Sequence, residues 1–556
     1  MRSFITSTIR KQTDLSGMWL MTANGKTVSA YVPSCREMLT GFENYRGVSV
    51  YEREISAGGN LLFRFGGVSH SAEVSIDGTP IGSHNGAYTG FDLPLQDVES
   101  GTHRLSVMVD NSFGENSALS VPNDYMTYGG ITRACQLEQV SELYIKSVGY
   151  IPKKVCGKWE ISARAVVRSL SKSAELVSPR CEICGMEYAF EPAEVAAMGE
   201  AEFSARFSVG NAKEYTLSSP VLTPVRCVLS VGGSDIDDLI ERVGFREIEI
   251  KGGKIYFGGE EIQLKGFNRH EEHGLFGCAL PPAAMAQDIA LIRDMGGNAV
   301  RTCHYPNDSY FLDLCDENGL LVWEESHARG LSEKQMRHPL FMKQSLDCID
   351  EMIERDINHP CIFVWGLLNE CASDTDYGRE CYEKLIGRIR ELDSSRPVTF
   401  ATCRPGSEVY GGENKGDGDK CLDLCDIVSF NIYPGWYHDS PPDEFLAAVR
   451  KWAGKNGGEG KPFIVSEIGA GAIYGFRSRI KDKWSEERQA EILESQLSAV
   501  LADSAVSGVF IWQFCDGRVS SECFYGRPRT MNNKGIVDEY RRPKMAYDVV
   551  KHLFLK

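Results

Sequence analysis

Residues 361–370, CIFVWGLLNE, decide how the second half of this sequence is interpreted. An uninterrupted apolar run of this length is typical of a buried strand, and this one ends on Asn369 and Glu370. A second apolar run, residues 462–469 (PFIVSEIG), carries Glu467 near its end. A carboxylate at the end of a buried strand must lie in a cleft or be paired, because burying an unpaired charge is costly. The two glutamates are therefore candidates for paired acid–base and nucleophile chemistry.

The sequence around these runs predicts a (β/α)8 barrel. Eight β-type runs follow residue 244, and most are separated by stretches with apolar residues at helical spacing, such as residues 283–295 and 487–502. The fifth-to-sixth connection is too rich in glycine for a full helix. The eight runs are IQLKGFN (262–268), NAVRTCH (298–304), LLVWEES (320–326), IFVWGLLNE (362–370), PVTFATC (397–403), IVSFNIY (427–433), PFIVSEIG (462–469) and GVFIWQF (508–514). In such barrels the active site lies at the carboxyl ends of the strands.

The segment before the barrel has a different texture. Residues 1–145 contain short β-type runs separated by Gly, Asn and Asp, which predicts a jelly-roll β-sandwich. Residues 146–243 contain further alternating segments and have the size of one immunoglobulin-like β-sandwich. The sequence thus predicts a multidomain chain with two all-β domains and an α/β barrel at 244–556.

Composition excludes several classes of function. The chain has 556 residues, is 42% hydrophobic and carries a net charge of −17, with acidic and basic residues interspersed. This balance argues against nucleic acid and anionic membranes as partners, and an acidic substrate would need a local cation. The first residues lack a signal-like apolar core and the 18 cysteines are scattered through apolar runs, so we expect a cytoplasmic protein with reduced thiols.

The predicted strand ends carry side chains suited to a sugar. They include His270, His304, Asn431, Tyr433 and Trp512, in addition to the two glutamates. Asn, His and Glu can bond sugar hydroxyls, and Trp can cover the apolar face of a sugar ring. No metal or organic cofactor is required by this set of residues.

Several long motifs, in this order and spacing, resemble glycoside hydrolase family 2. They are GFNRHEEHGLFG (266–277), NAVRTCHYPND (298–308), DINHPCIFVWGLLNE (356–370), SFNIYPGWY (429–437) and VSEIGA (465–470). The family includes β-galactosidases, β-glucuronidases, β-mannosidases and β-galacturonidases. The resemblance implies a hydrolase of carbohydrate metabolism, built from a jelly roll, an immunoglobulin-like domain and a barrel, and a homo-oligomer (dimer or tetramer) by analogy.

The resemblance also implies catalytic roles. Glu370 would be the general acid/base and Glu467 the nucleophile of a retaining mechanism, with Asn369 bonded to the sugar 2-hydroxyl. Either Tyr433 or Tyr437 could donate to the nucleophile, and the sequence does not choose between them. Ile468 stands where glucuronidases usually carry Tyr.

The segment after the eighth strand, residues 527–544 (RPRTMNNKGIVDEYRRPK), bears on the sugar. It resembles the Asn-x-Lys loop with which β-glucuronidases hold the substrate carboxylate, which assigns Asn532 and Lys534 to that role. Arg529 or Arg527 would add a second cation. Asp124, in NDYMTYGGITR (123–133), resembles an aspartate that reaches the barrel from the jelly roll.

These residues favour a retaining exo-β-glucuronidase. A β-galacturonidase would keep the same carboxylate clamp, and a neutral-sugar β-galactosidase would not need it, so both alternatives remain open. A carbohydrate-binding protein with an inactive barrel is disfavoured because both glutamates and Asn369 are present.

Overall fold

The computed structural model describes residues 2–410 and 417–556. Its first part is dominated by an eight-stranded antiparallel sheet in the order β1-β10-β4-β8-β6-β7, with β2 pairing both β3 and β4. The strands of this part are β1 (Lys11–Asp14), β2 (Gly17–Ala23), β3 (Lys26–Val32), β4 (Val48–Phe65), β5 (Val68–Ser69), β6 (Ser71–Ile76), β7 (Thr79–Asn85), β8 (Phe91–Asp110), β9 (Gly130–Ile131) and β10 (Cys135–Gln139). Inward-facing side chains such as Phe63, Val74 and Val107 form one apolar core.

The second part is also antiparallel. Its sheets are β11-β12-β17 and β15-β14-β18-β19, with β13 and β16 as a separate pair, and they share a core that includes Ile161 and Val225. The strands are β11 (Leu143–Val155), β12 (Lys158–Ser169), β13 (Glu175–Val177), β14 (Arg180–Ile183), β15 (Met186–Ala189), β16 (Ala193–Val195), β17 (Glu200–Val209), β18 (Thr223–Val231) and β19 (Ser234–Val243).

A small three-stranded sheet covers the amino end of the barrel. It consists of β20 (Ile248–Lys251), β21 (Lys254–Phe257) and β22 (Glu260–Glu261). Ile255 and Phe257 pack against the inward side chains Trp323 and Phe510. Because this end is filled with apolar side chains, the opposite end is the one available for a site.

The barrel contains the eight predicted strands in parallel order and is closed. They are β23 (Leu264–Asn268), β24 (Ala299–Arg301), β25 (Leu321–Glu325), β26 (Ile362–Leu367), β27 (Val398–Thr402), β28 (Val428–Asn431), β29 (Phe463–Ile468) and β30 (Val506–Ile511). Every residue of β26 is buried, as its unbroken apolar run predicts. Gly366 is required within β26, because a Cβ there would lie 2.0 Å from Nε1 of Trp323 on the neighbouring strand. The predicted fold class, a barrel preceded by β domains, is confirmed.

Helices form the outer layer of the barrel. They are α1 (Pro282–Asp294), α2 (Ser309–Asn318), α3 (Glu333–Met336), α4 (Phe341–Asp356), α5 (Asp376–Leu392), α6 (Pro442–Ala453), α7 (Glu486–Ala502) and α8 (Ala546–Phe554). In the fifth-to-sixth connection, the described residues contain only the short 3-10 helix Ser407–Tyr410, and 411–416 lie outside the described residues. None of the helices in the described ranges is both long enough and apolar enough to span a bilayer.

Two connections reach the carboxyl end of the barrel. The strand-free segment 111–129 runs from the first sheet to the barrel, where Tyr128 Oη donates to Glu272. The segment after the eighth barrel strand forms a short hairpin of β31 (Gly517–Arg518) and β32 (Met531–Asn532). Both segments are therefore placed to add side chains to a site built on the barrel strand ends.

Candidate active site

A cavity of about 930 Å³ opens at the carboxyl end of the barrel. Most of the predicted site residues line this one cavity although they are distant in sequence: Asp124, Glu370, Asn431, Tyr433, Tyr437, Glu467, Trp512 and Lys534. Strand ends position the residues of the barrel, and the segments 111–129 and 519–534 bring Asp124 and Lys534 to them.

Glu467, near the end of β29, is almost completely buried and held by two donors. Tyr433 Oη donates to Oε2 at 2.6 Å, and Arg301 Nη1 donates to Oε1 at 3.1 Å. Both bonds stabilise the carboxylate form of Glu467. The structure thus places Tyr433 on this carboxylate, whereas Tyr437 bonds elsewhere.

Glu370 follows β26 and faces the same cavity. Asn431 Nδ2 donates to its Oε1 at 2.9 Å, and Arg329 Nη2 lies 3.5 Å from Oε2. Its backbone has φ +52°, in the left-handed region that non-glycine residues rarely adopt. Strain of this kind persists where the surrounding structure over-determines it, and it is concentrated at functional sites.

The two carboxyl groups influence each other. Asn431, whose amide bonds Glu370, is the strand partner of Glu467 in the β28–β29 register. Burial and the nearby Glu370 raise the pKa of Glu467 to about 7, against the lowering effects of Arg301 and Tyr433. Two carboxyl groups in one buried site resist being ionised together. One of them is therefore suited to act as a proton donor while the other is an anion.

Arg301, at the end of β24, organises the floor of the site and was not predicted. Besides Glu467 it donates to Glu325 at 2.7 Å and to Asn369 Oδ1 at 2.8 Å, and it is fully buried. The available signal was an arginine inside the otherwise apolar run AVRTC, which is unfavourable unless acidic partners surround it.

Asn369 lies beneath the cavity and is fully buried. Its Oδ1 accepts bonds from Arg301 and from Asn431 Nδ2 at 3.1 Å, which fixes the orientation of the amide. Its Nδ2 has no hydrogen-bond partner among the described residues. An orphaned buried donor beside Glu370 is available to a ligand, since buried donors are normally satisfied.

Asp124 sits between two arginines on the cavity wall. Arg527 Nη2 donates to its Oδ2 at 2.7 Å, and Arg329 Nη1 lies 3.5 Å from its Oδ1. Burial alone would raise the pKa of Asp124, but Arg329 and Arg527 hold it well below its usual range. Arg329, from the loop after β25, was not predicted, and nothing in the motif SHARG distinguishes it from a solvated arginine.

Lys534 is 2% exposed, yet it lines the cavity. Nζ donates to Tyr437 Oη at 2.6 Å, and no carboxylate of the described ranges forms an ion pair with it. Burial raises the pKa of Tyr437, but the Lys534 ammonium outweighs burial and leaves this pKa below its ordinary value. Because a buried ammonium is costly without an anionic partner, Lys534 is suited to receive one from a ligand.

Besides Asn369, other predicted residues also lie outside the lining of the cavity. Asn532 is buried with Nδ2 3.4 Å from Asp124 Oδ2, so it supports the wall. His270 is buried behind Trp512, with the two rings 5.4 Å apart and perpendicular. The assignment of Arg529 as a second cation is wrong in geometry, because its guanidinium pairs with Glu539 at 2.5 Å. The neighbouring Arg527 lines the cavity instead.

One group of side chains in the described ranges has the composition of a metal site: Asp316, His359 and Cys361. His359 and Cys361 are buried just before β26 and Asp316 is buried near the end of α2, so the group lies at the amino end of the barrel, away from the cavity. Direct hydrogen bonds already account for the group, since His359 Nδ1 lies 2.5 Å from Asp316 Oδ2 and the Cys361 amide donates to Oδ1 at 2.9 Å.

Known sequences resemble the chain over most of its length. Residues 248–556 match the family model "Glycosyl hydrolases family 2, TIM barrel domain". A "Putative beta-glucuronidase" of Formosa agariphila is 27% identical, covering 92% of this chain but only 64% of that protein. The chain thus spans less than two thirds of this relative. A "Beta-glucuronidase" of Streptococcus agalactiae serotype V is 25% identical, covering 97% of this chain and 95% of the relative.

Solved structures resemble the chain even more completely. A family 2 β-galacturonidase from Eisenbergiella tayi, bound to galacturonate, is 47% identical with a TM-score of 0.95 and covers 100% of this chain and 99% of its own. The β-glucuronidase of Ruminococcus gnavus is 25% identical with a TM-score of 0.83, and the match covers 99% of this chain and 98% of that one. The similarity includes the β domains as well as the barrel.

Proposed function

The chain belongs to glycoside hydrolase family 2, and we propose that it is a retaining exo-β-uronidase that removes a terminal uronic acid. The observation that carries this proposal is Lys534. Lys534 is buried, lines the cavity and forms no ion pair with a carboxylate of the described residues, so its ammonium matches the carboxylate of a uronic acid. A neutral sugar would leave the ammonium unpaired.

In the proposed mechanism Glu370 is the acid/base. It protonates the departing glycosidic oxygen while Glu467 attacks the anomeric carbon, which gives a covalent glycosyl-enzyme. Glu370 then removes a proton from water, which releases the sugar with its configuration retained. The bonds from Tyr433 and Arg301 favour the ionised form of Glu467 that makes the attack.

Asn369 is assigned to the sugar 2-hydroxyl. Its carbonyl oxygen is already used by Arg301 and Asn431, so only Nδ2 is free to bond the substrate. The 2-hydroxyl bond strengthens in the transition state of glycosidases, and an amide whose orientation is fixed in advance makes that bond at low entropic cost.

For the sugar itself we propose β-D-galacturonides as the preferred substrates. Galacturonides and glucuronides share the carboxylate and differ in the 4-hydroxyl, which is axial in the former and equatorial in the latter. The 47% identity over the whole chain to a β-galacturonidase supports a galacturonide substrate. The β-glucuronidase relatives, at 25–27% identity, support a glucuronide substrate. The sequence-based choice of a β-glucuronidase therefore becomes the second candidate.

Initial rates on 4-nitrophenyl β-D-galacturonide, β-D-glucuronide and β-D-galactoside test this proposal. We expect the highest kcat/KM with the galacturonide and little turnover of the galactoside. A preference for the glucuronide would support Lys534 as the carboxylate-binding residue but identify the protein as a β-glucuronidase. A preference for the galactoside would refute the uronidase. Glu467→Gln serves as the inactive control, and NMR detection of the β-anomer as first product tests retention.

The homo-oligomer and the cytoplasmic location remain proposals. They rest on analogy with the family and on composition, respectively. Sedimentation of the purified protein tests the first, and localisation in the producing cell tests the second.

A further inference from the structure

Two cysteines from different domains meet beside the segment that carries Asp124. Cys35, which follows β3, has its Sγ 3.4 Å from the Sγ of Cys278, in the loop between β23 and α1. The backbone N–H of Cys278 donates to the Cys35 sulfur at 3.2 Å. The two residues are 243 positions apart in sequence, so tertiary folding alone brings them together.

Tight packing holds this thiol pair in place. It belongs to an apolar cluster with Met126, Tyr128 and Ala279 at the contact between the first sheet and the barrel. A Cβ on the adjacent Gly277 would lie 2.8 Å from the Cys35 sulfur, which shows how closely the barrel loop approaches Cys35. The positions of the two sulfurs are therefore set by both domains.

We propose that Cys35 and Cys278 form a disulfide site that cross-links the first domain to the barrel. A disulfide needs its sulfurs about 2.05 Å apart, so the pair must approach by little more than 1 Å, which small side-chain rotations can supply. Cys278 is partly exposed whereas Cys35 is buried, so an oxidant reaches Cys278 first.

The exchange chemistry balances with a small disulfide such as oxidised glutathione as the oxidant. The contact with Cys35 and burial raise the pKa of the Cys278 thiol, so we expect exchange at alkaline pH. Cys278 then loses its proton, and its sulfur attacks one glutathione sulfur, forming a mixed disulfide and releasing one glutathione thiolate. Cys35 then loses its proton and attacks the Cys278 sulfur, which releases the second glutathione. The protein gives up two electrons and two protons, and one oxidised glutathione becomes two reduced molecules.

The cross-link would act on the site through Asp124. Met126 and Tyr128 pack on the thiol pair, and Asp124 lies two residues before Met126 in the same segment. A bond across this contact would keep the segment on the barrel when other contacts loosen. It would also constrain the unfolded chain by closing a very long loop, for which chain-entropy models give the largest stabilisation.

The chain provides an internal comparison. Cys181 and Cys227 are direct partners across β14 and β18, but both are fully buried. Because thiol–disulfide exchange requires access to a sulfur, oxidation should select Cys35–Cys278 and spare this second pair. The second pair therefore shows whether a short distance between two cysteines is sufficient for oxidation or whether a sulfur must also be accessible.

To test the proposal, the folded protein is incubated with oxidised glutathione, and the oxidation state of each cysteine is then determined by peptide mapping. We expect a product lighter by two hydrogen atoms, a Cys35–Cys278 linked peptide, and a Tm higher by up to about 5 °C that reductant reverses. Cys278→Ser should abolish the linked peptide and the Tm shift, whereas Cys181→Ser should abolish neither.

Other outcomes would overturn the proposal. Recovery of Cys35 and Cys278 as separate reduced or glutathionylated thiols in folded protein would refute the site. A linked product whose Tm equals that of the reduced protein would refute the stabilising role. If Cys278→Ser does not fold, alkylation of the wild type at Cys278 before oxidation replaces it, and persistence of the Tm shift would then contradict the assignment.

Discussion

Replacing Lys534 by methionine is the sharpest perturbation of the proposed clamp. Methionine approximates the unbranched apolar stem of lysine and lacks the ammonium, so its bond to Tyr437 Oη is lost. A uronate entering the variant cavity would bring its carboxylate to a position that has lost the Lys534 ammonium. The proposed recognition would then become an unfavourable burial of charge.

The magnitude follows from the burial of Lys534, which is 2% exposed. Removing one partner of a buried ion pair costs about 3–5 kcal/mol, because the other charge is left uncompensated. At about 1.4 kcal/mol per factor of ten, kcat/KM for a uronide should fall roughly 10²–10⁴-fold. Turnover of 4-nitrophenyl β-D-galactoside should stay within about threefold of wild type, since a neutral sugar has no carboxylate to lose.

Arg529→Ala is the matched control. It removes a cation from the same loop, but this one pairs with Glu539 and does not line the cavity. We expect the control to keep its uronide kcat/KM within about threefold of wild type, as for a surface ion pair. A loss in Lys534→Met of less than about tenfold in kcat/KM on uronides, or an equal loss on the neutral galactoside, would refute the clamp.

Three further predictions concern the electrostatics of buried groups. The pKa of Glu467, about 7, is raised in part by Glu370. In Glu370→Gln, the acid limb of the pH profile of kcat/KM on an activated aryl uronide should therefore move to lower pH. An acid limb at the same pH as in wild type would contradict the influence of Glu370 on Glu467. Tyr433→Phe removes the 2.6 Å hydrogen bond to Glu467, so kcat should fall roughly 10–100-fold and the acid limb of the pH profile should move to higher pH. In the control, Tyr437→Phe, the acid limb should stay at the pH of wild type. Burial raises the pKa of Glu272 from 4.5 to about 8, so its stabilising contribution is complete below pH 4.5 and lost as pH rises through about 8. The Tm of Glu272→Gln should therefore exceed that of wild type at pH 9 but not at pH 4.5. An equal difference in Tm at both pH values would show that the pKa of Glu272 does not change on folding.

The barrel could be predicted because its signals are local. The buried strands are continuous apolar runs, and the helices between them repeat apolar residues at three and four positions, so each element is identified within its own segment. Glu370 and Glu467 could be placed at strand ends for the same reason.

The pairing of charges in the site was not predictable in this way. Arg301 contacts Glu467 across 166 positions, and Arg527 contacts Asp124 across 403, so neither partner is marked by a nearby motif. Arg527 and Arg529 are indistinguishable in RPR, yet only Arg527 reaches the cavity because Arg529 turns to Glu539. The choice between Tyr433 and Tyr437 likewise depends on which hydroxyl meets which strand end.

The sequence by itself determined the order of strands and helices, the two glutamates at strand ends and the motifs of the family, because each depends on residues a few positions apart. Only the tertiary structure decided which cations face the cavity, which tyrosine supports Glu467, and that Cys35 and Cys278 lie 3.4 Å apart. Those features depend on how neighbouring barrel strand ends meet, on the contact between the barrel and the first sheet, and on the path of the final loop. Such contacts join segments from 34 to 403 positions apart, where local spacing carries no information about which side chains will meet.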